Sequence, residues 1–144
     1  MANKLQIGSG VIVLDIVRDG EPAGQIRFNP ENSKFRHAVA AFMLEYESMA
    51  TSLMSKAEAL DKDTQTVALP NGMQVRANAQ QILDLWDERD AWVIQKFDSL
   101  FGANASQVVF GDEFSDEALE AFMTGISPHV DKASKKAMSR YAKK

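Results

Sequence analysis

Eight apolar residues, Phe35, Val39, Phe42, Tyr46, Met49, Leu53, Ala57 and Leu60, follow one another at steps of four and three. That spacing of 3.5, held for nearly four heptads, places them on one line of an α-helix. Something must cover a stripe of that length. If most of its large side chains leave water, burial contributes on the order of 10 to 20 kcal/mol, at about 1.5 to 3 each, and ordering the chain offsets much of it. The helix, expected from about Pro30 to Leu60, therefore owes its stability to what packs on it. Asn29-Pro30 reads as its start, with Asn as cap, Pro at the first helical position and Glu31 at the positive end of the macrodipole.

A second stripe, Ile82, Trp86, Val93, Phe97 and Leu100, widened by Leu85, Trp92, Ile94 and Phe101, predicts another helix over about 79–101. Asn78 suits its cap, and Gly102 its stop. Ahead of both helices, VIVLDIV at 11–17 and QIRF at 25–28 flank Asp19-Gly20 and Pro22, which predicts a hairpin over 11–28 with a loop longer than two residues. A lone hairpin is marginal in water, so it must lie on the helices, with Ile26 and Phe28 on one face and Arg27 on the other. Between the helices, Pro70-Asn71-Gly72 marks a turn, and its flanks form either a small second hairpin or an irregular loop.

Beyond Gly102, Ser106 to Phe110 reads as extended, Gly111-Asp112 as a turn, and Ser115 as the cap of a helix over about 116–126 with Leu119, Phe122, Met123 and Ile126 on one face. Ser127-Pro128 is expected to interrupt this helix. Val130, Ala133, Ala137 and Tyr141 continue a thinner stripe, so the basic end is either a fourth helix restarted at Pro128 or a frayed tail. The expected fold is α+β and mainly α: an N-terminal β-hairpin, then three to four helices, with a possible small second hairpin between the first two. The length suits one domain over 1–131, followed by a basic segment over 132–144.

Charge is unevenly placed. The first 131 residues hold all 20 acidic residues and ten of the 16 basic ones, a net −10, while the last 13 carry +6. A basic end of this kind can meet an acidic surface, nucleic acid or the body of a neighbouring copy, or it can simply be solvated. Lys132, Lys135, Lys136, Arg140, Lys143 and Lys144 would supply phosphate charge and Tyr141 a stacking ring, yet the acidic body repels phosphate and no base-reading motif accompanies them. A nucleic-acid regulator is accordingly the weakest of the readings considered.

Catalysis finds little to work with. There are no cysteines, and the two histidines, His37 and His129, each stand alone and are read as surface or capping groups. Asp84, Asp87, Glu88 and Asp90, and later Glu113, Asp116 and Glu117, match no metal-binding spacing; they are read as a solvated face and as helix N-terminal charge. Gly8-Ser9-Gly10 precedes a strand, whereas a dinucleotide-binding turn follows one. No enzyme activity, metal or cofactor is expected. With no run of 18 apolar residues and no signal-like start, the expected setting is the cytoplasm of a cell, away from membranes.

Three short words, Phe28-Asn29-Pro30, Phe97-Asp98-Ser99-Leu100-Phe101-Gly102 and Phe110-Gly111-Asp112, set in the order hairpin, long helix and aromatic-glycine run, resemble the small tail assembly chaperones of long-tailed phages and prophages. The likeness spans most of the chain in architecture but does not extend to Thr64–Val75 or to the lysine-rich end. It implies a non-catalytic protein, cytoplasmic in the bacterial host, that binds the long, helical, apolar tape-measure protein before the tail tube forms, self-associates, and is absent from the finished particle. A structural tail or connector component is the alternative. Candidate partner-contact residues are Met43, Met54 and Met123, whose flexible thioether chains can repack against several segments, and the aromatic Trp92, Phe110 and Phe114.

Overall fold

In the computed structural model, which describes residues 5, 8 and 10–142, the chain runs β1 (Ile12–Arg18), β2 (Glu21–Phe28), α1 (Ser33–Asp61), β3 (Thr66–Ala68), β4 (Gln74–Arg76), α2 (Ala79–Phe101), α3 (Ala105–Phe110) and α4 (Asp116–Ala142). This is the expected α+β, mainly helical architecture with both hairpins present. Contacts gather the chain into two units, Met1–Ala40 with Phe97–Lys144, and Ala41–Lys96, so that α1 and α2 each contribute to both.

The first hairpin departs from expectation at its turn. Asp19 and Gly20 both take positive φ, 53° and 80°, the conformation of a tight two-residue turn whose twist matches the strands it joins. Pro22 then sits inside β2 opposite Val17, and the register slips between Ile16 and Val17. An extra residue in β2 absorbs a proline that has no N–H for the ladder. Ile26 and Phe28 are buried while Arg27 is exposed, as the alternation requires. Arg18 donates from Nη1 to the carbonyls of Gln107 (3.1 Å) and Val108 (2.7 Å), tying the hairpin to the end of α3.

The start of α1 lies later than expected. Asn29 makes a turn of its own, accepting the Glu31 N–H at Oδ1 (3.0 Å) and the Asn32 N–H at its carbonyl (3.1 Å). Asn32 is the cap, its Oδ1 accepting from Lys34 N (2.9 Å) and Phe35 N (3.3 Å). Pro30 thus occupies a turn that leads into the helix, where its fixed φ is equally at home.

Ser106–Phe110 is helical where an extended segment is expected. The Asp98 carboxylate at the end of α2 accepts from both Ser106 N (2.7 Å) and Ser106 Oγ (3.0 Å), satisfying donors at the start of α3. Val109 and Phe110 are buried on the aromatic core, so packing overrides the β preference of Val-Val-Phe. Pro128 does not interrupt α4 either; the helix is continuous from Asp116 to Ala142 with the proline on its exposed side. Buried Ile126 before it and Ala133 after it are packed on unit 1, which offsets the missing hydrogen bond. The Ser115 cap is as expected, with Ser115 Oγ accepting from Ala118 N at 3.3 Å.

Phenylalanine dominates the core of unit 1. Phe97, fully buried, has ring neighbours in Phe101, Phe110 and Phe122 at centroid distances of 4.7, 5.0 and 5.1 Å. Phe28 and Phe35 extend the cluster towards the hairpin, each reaching Phe101. In unit 2, Trp92 of α2 stacks on Phe42 of α1 at 5.8 Å and lies 6.5 Å from Tyr46. All eight residues of the α1 stripe are buried or half-buried within the single chain. Asn78 does not cap α2 through its side chain; Nδ2 donates to the Leu60 carbonyl at the end of α1, while its own carbonyl accepts from Ile82 N.

Candidate interaction surface

The second hairpin is the least covered part of unit 2. Its loop is a Leu69–Gly72 turn closed by Gly72 N donating to Leu69 O (2.9 Å), with Gly72 at φ 87°, the three-residue loop that ends in a left-handed glycine. Val67 pairs with Val75, and Leu69 N donates to Met73 O at 2.7 Å. Opposed residues of an antiparallel pair share a face, so Val67, Leu69, Met73 and Val75 form one apolar face. They are 51, 38, 60 and 37 % exposed. The other face is polar, with Thr66 Oγ1 donating to Gln74 Oε1 and Arg76 ion-paired to Asp61. An alternation this regular is what a strand pair shows when one side is meant to be covered.

Residue spacing signalled this face through the 67/69 and 73/75 alternation about Pro-Asn-Gly, but the candidates named from sequence lie elsewhere. Met43 and Met54, about three turns apart on α1, are exposed, and both belong to unit 2. Trp92 is half-buried in its aromatic stack and borders an open trough of about 440 Å³ lined by Leu44, Glu45, Ser48, Met49, Ser52 and Lys96. Phe110, Phe114 and Met123 fall in unit 1. Phe110 is a core residue, 7 % exposed between Phe97 and Phe114, so the structure corrects its reading as a contact residue. Phe114 and Met123 are half-buried.

Unit 1 carries a second feature that spacing alone did not reveal, because its parts are far apart in sequence. Glu31 Oε1 accepts from Lys136 Nζ at 2.8 Å, and Arg36 and Arg140 stand close enough to act on the same carboxylate. The Lys136 hydrogen bond and charge, with the two arginines behind, hold Glu31 below the usual carboxylate range. Arg36 is itself anchored by donating to the Pro30 carbonyl. Hollows lie on both sides of this bridge, one lined by His129, Lys132 and Lys136 and the other by Arg36, Lys136 and Arg140, with Ala133 common to both. The face is basic and concave, and it already holds one carboxylate.

His37 is exposed, and His129 packs edge-on to Phe28 at 6.0 Å. Neither has a carboxylate or nucleophile bonded to it among the described residues. Among the described residues no group of three or more His, Cys, Asp or Glu is placed to hold a metal ion, and no helix is long and apolar enough to cross a membrane. Lys143 and Lys144, part of the sequence-read basic end, lie outside the described residues. Comparison of the chain with protein-family models, with curated proteins and with solved structures returns no match.

Proposed function

We propose that this chain is a non-catalytic assembly chaperone of long-tailed phages or prophages that shields apolar helical segments of the tape-measure protein in the host cytoplasm. The reading rests on the resemblance of the three short words, and the uncovered face of Val67, Leu69, Met73 and Val75, on a hairpin outside that resemblance whose reverse is polar, supports its apolar contact alone. Two exposed methionines on α1, Met43 and Met54, add flexible, polarisable side chains in the same unit. Such a face suits many apolar sequences, because it presents no directional groups that would select one.

Co-expression with fragments of a tape-measure protein is the test. The parent chain raises the soluble yield of at least one fragment, and a Val67→Ser/Met73→Ser variant with an unchanged melting temperature does not. Equal yields for every fragment with and without the chain would refute the proposal. Mass spectrometry of purified particles separates this reading from a structural tail component, since the chaperone is absent from them.

Self-association is part of the same reading, and the α1 stripe is not what drives it. The α1 stripe is covered inside one chain, so copies must meet through some other surface.

A further inference from the structure

We infer that copies of this chain associate head to tail, the basic face of α4 on one copy receiving the acidic row of α2 from the next. The inference deepens the self-association reading and is independent of the tape-measure reading.

Two observations carry it. The first is charge complementarity. Lys132, Lys136 and Arg140 recur at four-residue steps on α4, and Asp84 and Glu88 stand one such step apart on α2, with Asp87 beside them. Four residues of helix rise about 6 Å, so the two ladders have the same pitch. Asp84, Asp87 and Glu88 are exposed, and no ion pair engages them, nor Lys132 or Arg140, among the described residues.

The second is that the fold already shows what the basic face accepts. Glu31 sits among Lys136, Arg36 and Arg140 with a 2.8 Å hydrogen bond, and hollows flank it where further carboxylates can enter. Half-buried Ala137 lies between Lys136 and Arg140, and its short side chain lets another helix approach. On the donor side, Leu83 is 56 % exposed next to Asp84 and Asp87, offering an apolar contact between the charges. Exposed ion pairs taken singly contribute little. Several aligned ones steer encounter and set register.

Because the two faces differ, the contact is heterologous, and each copy uses one face of each kind whether the copies form an open chain or close into a ring. That property makes the test specific. Lys132→Gln/Arg140→Gln neutralises the basic face and Asp84→Asn/Glu88→Gln neutralises the acidic row without making the altered faces attract each other; all four positions are exposed, and circular dichroism checks that both variants fold. By sedimentation velocity in 50 mM salt, with no tape-measure protein present, the parent associates in a concentration-dependent manner that weakens by about tenfold or more in 500 mM salt. Each variant alone is monomeric. An equimolar mixture of the two forms a one-to-one pair through the faces each retains, Lys132 and Arg140 of one against Asp84 and Glu88 of the other. If the parent associates but both variants do so equally well, the head-to-tail contact is wrong and self-association stands. A parent that stays monomeric at 100 µM overturns both. A mixture that remains monomeric, while each variant alone has lost association, overturns the pairing of these two faces.

Discussion

Replacing Phe97 by alanine tests the central packing claim. Its side chain is fully buried and its ring centroid lies 4.7 to 5.1 Å from those of Phe101, Phe110 and Phe122. Truncating a buried phenylalanine costs about 3 to 5 kcal/mol in transfer and cavity terms. Three aromatic neighbours place this site in the upper half of that range, at about 4 kcal/mol, because each lost ring pair adds about 0.5 to 1.5 and such terms do not sum fully. In a chain of 144 residues this corresponds to a fall of roughly 10 to 15 °C in Tm. Urea unfolding followed by far-ultraviolet circular dichroism reads it as a shift in midpoint at constant slope. Leu44→Ala, at a site 71 % exposed, is the control, with an expected change within about 0.5 kcal/mol. A loss below about 2 kcal/mol for Phe97→Ala, or equal losses for the two variants, would contradict a core centred on this ring.

Other outcomes follow from the same geometry. Asp98→Ala removes the acceptor for both donors of Ser106 and costs about 2 to 3 kcal/mol; amide exchange at Val108 to Gly111 should quicken more than elsewhere, and uniform quickening would count against a local role. Pro128→Ala restores a helix hydrogen bond at an exposed position of α4 and should stabilise by about 1 to 3 kcal/mol, whereas a destabilised variant would mean that the proline shapes the packing. Glu31 has its folded pKa depressed by Lys136, so its contribution is present above 4.5, the unfolded value, and is lost as pH falls through the lower folded one. The difference in Tm between parent and Glu31→Gln should therefore be largest near neutrality and vanish on acidification; a difference that grows in acid would reverse the sign assigned here. Val67→Ser/Met73→Ser should leave the Tm within about 2 °C of the parent, because both side chains are already largely in water.

Periodicity determined the two long helices, the stripe from Phe35 to Leu60 and the inward Ile26 and Phe28, and residue type determined the Gly102 stop and the Ser115 cap, since each depends on residues within a turn or two. The Pro-Asn-Gly turn is legible in the sequence, whereas the pairing of Val67 with Val75 that makes its flanks a hairpin is visible only in the structure. What sequence order could not reach were the choices made by distant partners. Val-Val-Phe became helix because Asp98 holds Ser106 and Phe97 receives Phe110. Pro128 stayed inside α4 because residues on both sides of it are buried. Phe110 belongs to the core for the same reason, since what surrounds an aromatic side chain decides whether it is surface or core. The basic face joins Glu31 to Lys136, residues that no local pattern connects. Local backbone preference amounts to tenths of a kcal/mol per residue and burial to whole ones, so wherever the two disagreed in this chain, tertiary packing settled the outcome.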